Sequence, residues 1–198
     1  RHTRYWRDWS SDVCSSDLFD NTTGAGSVWS AITSPINAQS VVPTSVAPSG
    51  FTVGNSVWLM PARTVSYEVS SNVADVVPFT MALCANSAAQ VGVSLSDLVA
   101  VTATANGTTV DNSAATSNGM IAHLHVIAAS GTSPTLAAVV QHSTNGSTWT
   151  TLGSFTTATA ATSELISATG TVNRYVRVAF TVSGTTPSFT CQVSLARL

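Results

Sequence analysis

Lysine is absent from all 198 residues of this chain, and charge of either sign is scarce. Seven arginines stand against nine aspartates and glutamates, and together they make up only 8% of the residues. So few charges generate a weak electrostatic field, which disfavours binding to nucleic acid or to an anionic membrane through a basic patch. The absence of lysine also excludes Schiff-base catalysis by lysine and phosphate binding by its ammonium group.

The sequence also lacks the short motifs of common catalytic sites. It contains no G-x-S-x-G nucleophile elbow, no Walker loop and no dinucleotide-binding fingerprint. Its acidic residues are scattered, which disfavours glycoside hydrolysis by a pair of carboxylates. No run approaches the roughly 18 apolar residues that a membrane helix needs. We therefore predict a protein that is not an enzyme, uses no cofactor and has no membrane partner.

Residues 1–18 differ in composition from everything that follows. They hold 6 of the 16 charged residues and two of the five tryptophans, yet they carry no net charge and no strand or helix periodicity. The peptide RHTRYWRDWSSDVCSSDL resembles the conceptual translation of a sequencing-library adapter, whose constant codons account for Asp8 through Leu18. We interpret residues 1–18 as adapter-derived, and we expect native sequence to start near Phe19 with the natural N-terminus missing.

The remaining residues are rich in Ser, Thr, Val and Ala, and Thr and Val favour strands. The overall hydrophobic content of 44% is too high for a disordered chain. We predict that residues 19–97 are a truncated β-rich domain that begins with an extended, turn-rich arm. Its strand candidates lie at 56–60, 62–69 and 75–85.

From residue 98 onward, short strand candidates and turn signals recur about every ten residues. This spacing is typical of an antiparallel β-sandwich, and no useful helical periodicity is present. We therefore predict an all-β protein in which residues 98–198 form an Ig-like or jelly-roll-like sandwich. The strand candidates are 99–105, 120–128, 135–143, 148–155, 163–168, 174–182 and 188–196, with turns at 106–108, 130–134, 144–148 and 183–187.

Alternation within the last strand assigns its faces. Phe189, Cys191, Val193 and Leu195 should share one face, and the intervening Ser, Thr and Gln side chains should share the opposite face. Cys84 and Cys191 lie in apolar, strand-like contexts, so we interpret both as buried free thiols.

Two groups of residues are candidates for a site. His123 and His125 share a strand face, but a metal site needs a third ligand and His142 is the only other histidine after residue 18, so we predict no metal. Trp149, Tyr175 and Arg177 could form a sugar-binding platform. We favour the other interpretation, in which Trp149 belongs to the core and the arginine stems lie on an ordinary strand surface.

The C-terminal half, about Asp97 to Arg197, resembles β-sandwich modules of tailed-bacteriophage structural proteins, in particular of the tail-tube type. Three stretches carry the likeness: LHVIAASGTSPTL (124–136), QHSTNGSTW (141–149) and GTVNRYVRVAFTVSGTTPSF (170–189). The stretch SSNVADVVPFTMAL (70–83) more weakly resembles the segment that precedes such a module. Similar hairpins and strands also occur in galactose-binding-like and other carbohydrate-binding sandwiches.

The resemblance implies a virion building block, assembled in the host cytoplasm. Its partners would be further copies of the same chain, in a ring or tube, and other virion proteins, with no sequence-specific nucleic acid. Two alternatives remain open. One is a carbohydrate-binding sandwich that binds a surface glycan through Trp149, Tyr175 and Arg177, and the other is a cell-surface adhesion module.

Overall fold

The structure, a computed structural model, describes residues 41–69 and 79–198, with side-chain environments for residues 41–63 and 82–198. The adapter-like residues 1–18, the arm from 19 to 40 and part of the weaker tail-protein likeness lie outside the described residues. Throughout the described ranges the regular elements are β-strands and none is a helix, which confirms the predicted all-β class.

Eleven strands lie in the described ranges, and β2 to β11 pair with their neighbours in antiparallel fashion. They are β1 (Val42–Val46), β2 (Ser56–Val69), β3 (Phe79–Ala85), β4 (Gln90–Ser94), β5 (Val99–Val101), β6 (Ala105–Asn106), β7 (Val110–Asp111), β8 (Met120–Ser143), β9 (Thr150–Ser154), β10 (Thr162–Ala168) and β11 (Tyr175–Arg197).

Two very long strands, β8 and β11, pair along their whole length and organise the fold. Their register runs from Tyr175 opposite Ser143 to Arg197 opposite Met120. Strand β10 pairs with the first half of β8 and β9 with the second half. Strands β4 and β5 pair with the second half of β11, and β6 and β7 with its first half. The β8–β11 ribbon thus has two halves, each widened by short strands.

One hydrophobic core joins the two halves of the ribbon. Alternate side chains from both halves of both strands belong to a single cluster, so the halves face each other across it as the layers of a β-sandwich. The cluster members from β8 and β11 that are no more than 1% exposed are Met120, Ala122, Leu124, Leu136, Ala138, Val140, Val176, Val178, Phe189, Cys191, Val193 and Leu195. The face that these residues of the last strand were predicted to share therefore points inward.

The ribbon bends where the two S-G-T-x-P sequences meet. We expected turns at 130–134 and 183–187, and that expectation is wrong, because both stretches lie within continuous strands. They are aligned in opposite directions, with Thr132 facing Thr185 and register shifts on both sides of that pair. The two copies are therefore related by a local two-fold arrangement, which the sequence already carries as a repeat.

Glycine is required at this bend because the two backbones touch. Gly131 and Gly184 have φ angles of 118° and 111°, in the region that favours glycine. A Cβ at Gly131 would lie 2.8 Å from the Thr186 carbonyl oxygen, and one at Gly184 would lie 2.8 Å from the Ser133 carbonyl oxygen. Each glycine therefore makes room for the other copy of the motif.

The outer face of one half of the ribbon is also covered. Val57 and Leu59 of β2 pack with Ala196 in a second cluster, to which Ile121 is peripheral. Gln192 and Ser194 are buried on this side. They lie on the face opposite the core-facing residues of the same strand, and residues before the predicted sandwich cover them.

The chain divides into two compact units. Val42–Pro61 and Ser87–Leu198 form one, and the other includes Ala62–Asn86, where β3 pairs with the second part of β2. The sequence-based boundary at residues 97 and 98 stays a prediction.

Cys191 is a buried free thiol as expected, and burial raises its pKa to about 11. Cys84 is also free but is exposed, so its predicted burial is wrong.

The contact at the bend predicts the cost of adding a methyl group there. Gly131→Ala adds overpacking of about 1–3 kcal/mol to a φ penalty of about 1–2 kcal/mol. Gly170→Ala is the matched control, because Gly170 has a φ of 91° but no neighbour within 4 Å of an added Cβ. Urea unfolding should show a clearly larger loss of unfolding free energy for Gly131→Ala. Equal losses would contradict close backbone contact at the bend.

Candidate functional site

A tightly hydrogen-bonded turn places Trp149 on the outer face of the ribbon, in the half where the end of β8 pairs with the start of β11. The Ser143 hydroxyl accepts hydrogen bonds from the backbone amides of Asn145 and Gly146 (3.2 and 2.9 Å). The Asn145 side-chain oxygen accepts two more, from the amides of Ser147 and Thr148 (both 2.9 Å). These bonds are the kind that fix Asn and Ser turns, and they hold the chain that enters β9.

Trp149 and Arg177 are stacked. The guanidinium carbon of Arg177 lies 4.1 Å from the centre of the Trp149 ring, within cation–π distance. The Nε of Arg177 donates a 2.8 Å hydrogen bond to the side-chain oxygen of Gln141, the residue opposite it on β8. The guanidinium group is thereby held by a ring on one side and by an amide at one edge.

Tyr175 lies two residues before Arg177 and shares its strand face. Its ring packs against Gly146, where an added Cβ would lie 3.9 Å from ring atoms. The Arg174 guanidinium carbon lies 5.0 Å from the centre of the same ring. Arg174 is paired with Asp111 through two hydrogen bonds of 2.7 and 2.6 Å, and this pairing lowers the pKa of Asp111 to about 2.

The structure therefore brings together the residues of the predicted platform. Trp149 and Arg177 are in direct contact, and Tyr175 lies on the same face; all three are half-buried. Trp149 lies outside both hydrophobic clusters, so the expectation that it belongs to the core is wrong. We call Trp149, Tyr175, Arg177 and Gln141 the outer-face patch. Its chemistry is aromatic stacking, hydrogen bonding and one positive charge.

A second polar cluster lies on the half of the ribbon that β1 and β2 cover, where the start of β8 pairs with the end of β11. The Ser45 hydroxyl oxygen of β1 lies 3.0 Å from Nδ1 of His123 and 2.9 Å from Nε2 of His125. A hydroxyl donates one proton, so one ring accepts from Ser45 and the other donates to it. His123 is fully buried. No sequence signal linked Ser45 to residues 78 and 80 positions away.

This cluster is held neutral rather than arranged for metal binding. Burial and then the charge of His125 lower the pKa of His123 to about 4, and burial also lowers the pKa of His125. His142 lies elsewhere and accepts a 3.2 Å hydrogen bond from the Asn173 amide. Within the described ranges, no group of three or more His, Cys, Asp or Glu side chains is placed to hold a metal ion.

The buried histidine predicts loss of stability in acid. Unfolded His123 takes up a proton near pH 6.5, whereas the folded protein resists protonation down to about pH 4. The free energy of unfolding should therefore fall as the pH drops through this window, by about 3 kcal/mol from His123. Urea unfolding from pH 7.5 to 4 should show this slope, and His123→Gln should flatten it. An unchanged slope in the variant would contradict the assignment.

Comparisons with protein-family models, curated proteins and solved structures find no match to this chain. In the part of the chain that the structure describes, there is no helix of the length and apolarity needed to cross a bilayer.

Proposed function

We propose that the protein is a structural protein of a tailed-bacteriophage virion, a tail-tube-type subunit that acts by self-assembly. The sequence likeness of residues 97–197 to tail modules supports the phage assignment. A surface feature of the sandwich supports assembly and is the observation on which this proposal mainly rests.

That feature is an exposed apolar pair on neighbouring strands. Trp58 of β2 faces Val91 of β4, and the two side chains are 45% and 56% exposed. Contiguous exposed apolar side chains mark interaction surfaces where they form a patch, and this pair is our candidate for the centre of one. Tryptophan is also enriched among the residues that dominate binding energy at interfaces. A chain with so few charges would associate through such apolar contacts and through strand edges.

The assembly proposal is tested by the mass and shape of the protein in solution. Gel filtration with light scattering and negative-stain microscopy, on the whole chain and on residues 19–198, should show rings or stacked tubes. Trp58→Ser should raise the dissociation constant about 30-fold, as expected for the loss of about 2 kcal/mol at an interface.

Trp149→Ser is the matched control, because it removes another partly exposed tryptophan from a different surface. It should leave the assembly intact. Monomers at every concentration would count against a self-assembling subunit. Assemblies that tolerate Trp58→Ser would instead show that a different surface makes the contact.

A second candidate function is binding of a surface glycan by the outer-face patch. The supporting observation is that Trp149 is half-buried outside the core and carries a polar partner, Arg177, on its ring. Aromatic rings beside amide and guanidinium donors suit the apolar faces and hydroxyl groups of sugars. This function requires no assembly, so the same sandwich could serve both roles.

A further inference from the structure

We propose that the outer-face patch binds an acidic sugar, with Arg177 pairing with the sugar carboxylate. The inference rests on the second candidate function, glycan binding, and names the class of glycan. It follows from the geometry of Arg177, from the charges around it and from the two rings beside it.

The guanidinium of Arg177 is fixed before any ligand arrives. Trp149 supports its flat face at 4.1 Å, and Gln141 accepts the hydrogen bond from its Nε. These contacts leave the two terminal nitrogens, which form one edge of the fork. A carboxylate accepts two parallel hydrogen bonds from such an edge. Because the side chain is already ordered, less conformational entropy is lost on binding.

The positive charge of Arg177 is also uncompensated by an ion pair. Among the described residues, the salt bridge that the structure contains joins Arg174 to Asp111, and no carboxylate lies within 4 Å of Arg177. Its hydrogen-bond partner, Gln141, is neutral. A half-buried cation with a neutral partner favours an anionic ligand over a neutral one.

Arg174 provides the contrast within the same strand. Its Nε and one terminal nitrogen already donate to the two oxygens of Asp111. Both arginines carry one positive charge, but that of Arg174 is neutralised by the carboxylate of Asp111. The two arginines differ in availability rather than in residue type.

The rings supply the rest of a sugar site. Tyr175 shares the face of Arg177 at a spacing of two residues, about 7 Å along a strand. Because Arg174 and Gly146 already lie against the ring of Tyr175, its hydroxyl group rather than its ring face would contact the hydroxyls of a sugar whose carboxylate is held by Arg177. A carboxylate alone, without the sugar ring, would use only part of this patch.

The experiment compares acidic oligosaccharides with their methyl esters, which keep the sugar and remove the charge. The full-length protein is titrated with oligogalacturonate and with sialyllactose, each free and esterified, using tryptophan fluorescence and calorimetry. We expect the free acids to bind at least about tenfold more tightly than the esters, as a charge-assisted hydrogen bond allows. Added salt should narrow the difference.

Arg177→Gln should abolish that preference, and Arg177→Lys should restore part of it, because the charge remains but the planar fork is lost. Arg174→Gln is the matched control; it leaves Asp111 unpaired on the same surface, so it should narrow the preference, but by less than Arg177→Gln does. Circular dichroism and the unfolding midpoint establish that each variant is folded.

The outcomes distinguish the glycan-binding function from the role of Arg177 in choosing an acidic sugar. Equal binding of acids and esters would keep the glycan-binding function and overturn the role of Arg177. Equal losses in Arg174→Gln and Arg177→Gln would show general charge attraction and would also overturn it. No binding of either form would overturn both the inference and the second candidate function.

Discussion

The bend in the β8–β11 ribbon is the constraint on which the rest of the sandwich depends. Side chains alternate between the faces of a strand, so a flat ribbon of this length would leave its apolar face open to water. Bending at Gly131 and Gly184 brings that face against itself and closes one core. The inward residues of β11 are even-numbered up to Val182 and odd-numbered from Phe189. The register shifts at the bend account for this change, because a shift of one residue moves a side chain to the other face of the strand. Apolar side chains therefore point into the core on both sides of the bend.

The same bend gives the two halves of the ribbon different outer faces. Residues 42–59 cover one half, where Ser45 meets the two histidines and Val57 packs with Ala196. Burial there excludes water, which is why the pKa of His123 falls. The other half keeps Tyr175 and Arg177 partly open. The candidate binding surface is therefore the outer face that the N-terminal strands of this unit leave uncovered.

The sequence predicted what depends on local alternation and missed what depends on distant contacts. The face shared by alternate residues of the last strand followed from a period of two and is confirmed by their burial. The S-G-T-x-P stretches read as turns, because Gly and Pro are turn residues and only the partner copy reveals a bend within a strand. The burial of Gln192 was not predicted, because nothing in its strand indicates that β1 and β2 cover that side. Trp149, Tyr175 and Arg177 were chosen as candidates from their residue types alone. The hydrogen bond from Arg177 to Gln141 could not be predicted, because it depends on the register between β8 and β11.

The two proposed roles depend on different physical forces, so one chain can carry both without conflict. Contact through Trp58 and Val91 would be driven by the burial of apolar surface. Salt does not screen this driving force, and salting-out ions strengthen it. Recognition of a carboxylate by Arg177 is partly Coulombic at a half-exposed site and weakens as ionic strength rises. The scarcity of charge in the whole chain sharpens this separation, because few other groups add a salt-dependent term of their own. The direction in which salt moves each equilibrium therefore reports which surface is engaged.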